Sequence, residues 1–391
     1  MSETALHAHR LLLRTGLSLV HIFAWVFVFE YFYFFSGSTA RALAATVLLY
    51  GLAQLITLIA TPISAAHLRR GTRHSIIWGV VCMGGALVVL GGTLSGYFSA
   101  PFAWGIVAFA VLMGFYRALY WIPYRIAQNA SKPHEHMRPL LEVLIALMPL
   151  FAGLTIQGVM FGEGRLLFGG AALVVVSIIP LFLIADAREK FSWPYLYTYR
   201  QLLRRKNHGL VVQSLLEGLQ GAALFLVWPL AVFLILEWSY FVLGLVFTIT
   251  LLAILLMRRV YLWLAKTFGI ENSPVVHTVL VMSGWVGRLA AGTPLAIIVA
   301  DSYSYATQPE RGTRADPFTF EHMSDRGAFV DEYTALKEIS LAFGRIMMCA
   351  IVFALALVFA LPVVFAVALG VAAASSGIAI LVARRGPAPA Y

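Results

Sequence analysis

An all-α membrane protein, with about 12 transmembrane helices in two six-helix bundles, is the fold class that three features of the sequence predict. Hydrophobic residues make up 61% of the 391-residue chain and charged residues only 12%. That is more apolar surface than a soluble fold of this length can hide, so lipid must be the solvent for most of it. Apolar blocks of bilayer-crossing length recur along the whole chain. One long charged interruption, residues 185–208, carries Arg188, Lys190, Arg200, Arg204, Arg205 and Lys206 and leaves 184 residues before it and 183 after it. The expected organisation is a bundle over 1–184, a basic linker over 185–208 and a second bundle over 209–391.

Taken in order, the first half offers spans near 14–35, 42–63, 75–95, 100–122, 139–160 and 165–184, with Gly and Pro between them, as at Pro101 and Gly162-Glu163-Gly164. The first is long, lacks a small-residue cleavage site and is followed by many more, so it reads as an uncleaved span. The second half offers 209–235, 239–257, 273–290, 292–307, 338–359 and 362–383. Residues 273–305 must supply two short crossings that turn near Gly292-Thr293-Pro294. The polar loop 309–338 alternates aromatics with charges and is expected to hold a short interfacial helix, and the tail GPAPAY is expected to be disordered.

Charge placement sets the parity. With both termini inside, the inner segments hold 23 of the 28 Lys and Arg residues, whereas only Arg41 and Arg165 fall in outer loops. Arg117, Arg288 and Arg345 fall within or near the ends of spans. A single crossing over 273–305 would force the basic loop 311–337 outside, against that trend. The same distribution accounts for the net charge of +10 without a nucleic-acid partner, because anionic lipid headgroups suffice. Cys82 and Cys349 lie in apolar runs, so no disulfide framework or metal cluster is implied.

The loop after the second span, Ser64-Ala-Ala-His-Leu-Arg-Arg-Gly-Thr-Arg73, resembles the Gly-x-x-x-Asp-Arg-x-Gly-Arg-Arg pattern of the major facilitator superfamily. Arg69, Gly71 and Arg73 fit; Ser64 stands at the first Gly and Leu68 at the Asp. Leu262-Trp-Leu-Ala-Lys-Thr-Phe-Gly269 is a fainter copy in the second half. Arg117-Ala-Leu-Tyr-Trp-Ile-Pro-Tyr-Arg125 and the run Glu332 to Arg345 look like segments of bacterial members. The resemblance covers the whole chain. It implies a secondary transporter working by alternating access in the bacterial inner membrane, with N- and C-termini cytoplasmic.

Ionisable groups at membrane depth are costly and face a cavity or a partner, so each is a candidate. Gln213, Glu217 and Gln220 fall on one helical face of the seventh span. That face either lines a central cavity, with Glu217 as a proton or cation site, or packs as a polar stripe. Arg117 lies beside a tyrosine stripe of Tyr116, Tyr120 and Tyr124; it either holds an anionic solute or snorkels within an aromatic belt. Glu338 and Arg345 share a face of the eleventh span, and Arg345 is expected to pair with Glu338, Glu217 or Asp301 as a gate or an anchor. Glu30 is either interfacial or part of an outward gate, and its spacing from His21 puts the two on opposite faces.

Other patterns carry less. His134-Glu135-His136 has the wrong spacing for one helical metal face, and Asn129-Ala-Ser131 falls on the inner side, away from glycosylation. No Gly-rich phosphate loop with a Lys is present, so ATP-driven transport by this chain alone is not expected. The expectation is therefore a monomeric, non-enzymatic carrier of a small organic solute, with no cofactor, no metal and proton coupling through the cavity. Two rivals stand beside it. One is a transport-inactive scaffold or sensor, favoured by Leu68. The other is a lipid-modifying enzyme, which would need a site around His134, Glu135, His136 and His322.

Overall fold

The computed structural model describes residues 2–97, 103–129, 138–158, 162–184, 186, 188, 191, 193–268, 273–307 and 331–385. The first half holds α1 (Ser2–Ser36), α2 (Thr39–His67), α3 (Thr72–Leu94), α4 (Ala103–Asn129), α5 (Arg138–Gln157) and α6 (Gly162–Val176). A short α7 (Tyr195–Arg200) lies in the linker. The second half holds α8 (His208–Ala222), α9 (Trp228–Ile235), α10 (Tyr240–Thr267), α11 (Pro274–Leu289), α12 (Pro294–Ala306), α13 (Asp331–Ala356) and α14 (Leu361–Arg385). Among the described residues, nine helices are long and apolar enough to cross a membrane, and Leu141–Gln157 and Val275–Leu289 are shorter apolar helices.

Several ends differ from the expectation. The first helix begins at Ser2 rather than near 14, and α10 runs to Thr267 rather than 257. Arg10, Arg14, Arg258, Arg259 and Lys266 therefore lie on helices, because a charged side chain ends an apolar run without ending a helix. Helix α6 stops at Val176, and Pro180 tightens the chain into a 3-10 turn over Ile179–Leu183. Residues 273–307 do form two helices: Thr293 caps α12 by accepting from the Ala296 N–H, with Pro294 at its first position. His134, Glu135, His136, His322, most of the 309–338 loop and the tail lie outside the described residues.

Prolines inside the spans remove a backbone donor, and neighbouring hydroxyls fill the gap. In α5, Pro149 cannot donate to the Ile145 carbonyl, and Ser18 of α1 donates to it instead, at 3.0 Å. One residue on, the Leu150 N–H donates to Thr248 of α10 at 3.0 Å. Gly244 makes that crossing close, since a Cβ there would strike the Pro149 carbonyl. Pro229 has a different effect: α8 and α9 run on as one rod through a widened π turn at Ala223–Val227, which accommodates the proline ring.

Neighbour relations recur between the halves. Helix α3 packs on α4 and α6, α2 on α4, and α1 on α5 and α6; in the same order α11 packs on α12 and α14, α10 on α12, and α8 on α13 and α14. Across the halves, α2 meets α13 and α5 meets α10. The core runs continuously through these contacts, and a separate small apolar cluster of Ala65, Leu68, Ile122, Phe191 and Ala335 sits at the linker end.

Candidate functional site

At the linker end, helices from both halves bring ionisable side chains together. Glu217 of α8 accepts from Gln213 Nε2 at 3.0 Å, the bond that their i, i+4 spacing allows. Its other oxygen lies 3.8 Å from Lys337 Nζ at the start of α13. The next residue, Glu338, faces the first half, 3.7 Å from Arg125 Nη2 of α4. Both separations exceed a hydrogen bond, so these are Coulombic pairs whose buried setting strengthens them. About two turns deeper, Arg345 Nη1 donates to Gln54 Oε1 of α2 at 3.2 Å. Gln220 is buried on the same rod as Glu217.

Arg345 thus meets Gln54 of α2 across the halves. Glu338 and Glu217 face Arg125 and Lys337. Asp301 belongs to a separate cluster within the second half: its Oδ1 accepts from Arg288 Nε at 2.7 Å and its Oδ2 from Trp228 Nε1 at 3.0 Å. The Arg288 guanidinium lies 4.5 Å from the Trp285 ring centre, with Trp228 and Tyr305 on its other sides. Both side chains are about 1% exposed. Asp301 is therefore a core residue of α12.

Tyr120 and its neighbours form a stacked column, with Tyr120 and Tyr124 rings 5.2 Å apart. The column faces α1: His9 Nδ1 lies 2.7 Å from the Ser177 carbonyl and Nε2 lies 3.0 Å from the Tyr120 hydroxyl. A carbonyl only accepts, so Nδ1 carries the proton and, in the neutral ring, Nε2 accepts from Tyr120. Arg117 is buried on α4 beside this column. At the opposite end, Glu30 accepts from the Tyr240 hydroxyl, joining α1 to the start of α10. Trp238 closes over it, with its ring 4.7 Å from Tyr33 and 5.6 Å from Phe29. His21 presents its ring to Phe225 in the π turn.

The loop with Leu68 in place of an acid obtains a carboxylate from elsewhere. Asp186 Oδ1 accepts the Arg73 backbone N–H at 3.0 Å at the start of α3, and Leu68 is buried against Phe191. Gln54, Lys337, His9 and Trp228 are contributors that sequence reasoning missed. Gln54 and His9 carried the one available signal, a polar residue within an apolar helix. Among the described residues no group of three His, Cys, Asp or Glu side chains is placed to hold a metal ion.

No family model matches the sequence, and no curated protein does either. Solved structures do. The xylose transporter XylE from E. coli, in a partially occluded inward-open conformation, superimposes with a TM-score of 0.66 at 12% identity, over 99% of this chain and 97% of that one. The nucleoside transporter NupG gives 0.60 at 12% identity, over 97% and 99%. A bacterial homologue of the iron transporter ferroportin, inward-facing, gives 0.60 at 17% identity, over 97% of each chain. The chain is an integral multi-pass membrane protein with the fold of the major facilitator transporters.

Proposed function

We propose that this protein is a secondary active transporter for a small organic solute, alternating access between two six-helix bundles, residues 1–184 and 209–391. Short turns make successive helices antiparallel, so the Glu30–Tyr240 bond and the Arg125–Glu338 pair belong to opposite ends of the molecule. The single observation that carries the reading is this placement of breakable polar contacts between the halves at both ends. A carrier must open one end while the other is shut.

In this reading Arg125–Glu338 and Gln54–Arg345 form the gate at the linker end, and Glu30–Tyr240 forms the other. Glu217, held by Gln213 and Lys337, is the proposed coupling carboxylate, and Gln220, Arg117 and Tyr120 are the remaining polar groups offered to the solute. The positive-inside bias supports a cytoplasmic linker end and a cytoplasmic membrane location for a monomer.

The test is counterflow into proteoliposomes, with and without a pH gradient, of labelled solutes of different classes: xylose, uridine and a dipeptide. Flux of any one above empty vesicles supports a carrier. No flux with any, together with no ligand-induced thermal shift, favours the transport-inactive scaffold that Leu68 in place of an acid also fits.

A further inference from the structure

The linker is built into the protein rather than strung between its halves. Phe191 is 2% exposed, Thr198 0% and Gln201 1%, burial that a free basic connector would not show. Phe191 packs with Ala65, Leu68 and Ile122 of the first half and Ala335 of the second, flanked by Trp193. Helix α7 itself touches both α2 and α13, the two helices that meet across the halves.

Its fastening point is a notch in α2. Pro62 has no N–H, so the Leu58 carbonyl has no donor four residues on. The Tyr199 hydroxyl reaches it from the linker at 2.9 Å, and the Tyr195 hydroxyl reaches the adjoining Ile59 carbonyl at 3.3 Å. An i, i+4 spacing on α7 sets the two phenols side by side. Burial, together with the Tyr195 hydroxyl beside it, raises the Tyr199 phenol above its ordinary pKa, so the group stays protonated and able to donate. The same device holds α1 to α5, where Ser18 fills the gap left by Pro149.

We propose that Phe191 and residues 193–203 act as a strap that holds the α2–α13 seam shut at the linker end, fastened by Tyr199 in the backbone notch left by Pro62. Parting the seam there requires the strap to release one of the two helices, Tyr199 from the Leu58 carbonyl of α2 or Phe191 from the pocket it shares with Ala335 of α13. The strap is thus a brake on opening set by the linker, separate from the ion-paired gate. It does not depend on the transport reading, since a chain that carries no solute would be strapped in the same way.

A native thiol reports on the seam. Cys349 of α13 is 5% exposed and faces Gly51 of α2. In the full chain carrying Cys82→Ser, the rate of Cys349 alkylation by a water-soluble maleimide in proteoliposomes measures how often the seam parts. Tyr199→Phe keeps the ring and removes the hydroxyl that bonds the Leu58 carbonyl and, more weakly at 3.4 Å, the Tyr195 hydroxyl, so the rate should rise about threefold to tenfold. Pro62→Ala restores an amide donor that shares the Leu58 carbonyl with Tyr199 and should raise the rate by less than Tyr199→Phe does, without touching the linker. Combining the two should add little, because both act on one carbonyl. A Tyr199→Phe rate within about twofold of the parent, or multiplicative effects of the two changes, would overturn the strap. Should Pro62→Ala fail to fold, Tyr199→Phe decides alone. Solute flux does not enter this measurement, so its outcome is independent of the transport reading.

Discussion

Arg288 and Asp301 form a direct ion pair, Nε to Oδ1 at 2.7 Å, thirteen residues apart on adjacent helices and buried among Trp228, Trp285 and Tyr305. The aromatic faces replace water around the guanidinium, and the Trp228 indole N–H completes the carboxylate. Among the described residues no partner meets the Arg288 Nη1 or Nη2, so the cluster is held mainly by this one pair and the rings.

Breaking such a pair leaves a lone buried charge. Asp301→Asn and Arg288→Met should each lower stability by about 3–5 kcal/mol, and Arg288→Met with Asp301→Leu should cost less than either alone. Unfolding of the detergent-solubilised protein, followed by tryptophan fluorescence, measures all three. Equal or additive losses would show that packing, rather than charge pairing, sets the stability there.

Glu217 makes a kinetic prediction. Glu217→Gln keeps a side chain of the same shape beside Gln213 but cannot carry and release a proton. Counterflow exchange of a transported solute should persist, whereas accumulation driven by a pH gradient should fall to the level of the gradient-free control. Loss of both together would place Glu217 in solute binding or folding.

Gly71 has φ +115°, and a Cβ there would meet the Asp186 carboxylate. Gly71→Ala should therefore cost about 1–3 kcal/mol, from backbone strain and from displacing Asp186 off the Arg73 N–H. In an Asp186→Ala background the same change should cost less, since only the strain remains. Thermal unfolding of the four proteins closes the cycle.

The apolar segments were legible because lipid demands a long run that any reading of hydropathy detects. Helix ends were not, since Arg10 and Arg258 sit on helices that continue past the apolar run. The linker read as basic and no more, although Tyr195 and Tyr199 at i, i+4 and the aromatics Phe191 and Trp193 after the charged run 188–190 carried the trace of a docking face. Side-chain partners were the least legible part. Spacing put Glu338 and Arg345 on one face of α13, yet which helix that face meets depends on the assembled bundle. Glu338 therefore found Arg125, and Arg345 found Gln54.

The central claim is that the two ends open in alternation. Spin labels at the exposed positions Arg41 and Val358 report on one end, and labels at Arg70 and Arg259 report on the other. Pulsed electron–electron distances in liposomes should shift in opposite senses: Glu338→Gln should lengthen the Arg70–Arg259 distance and shorten Arg41–Val358, and Glu30→Gln should do the reverse. The same single distance for each pair in the parent and both variants would contradict the account.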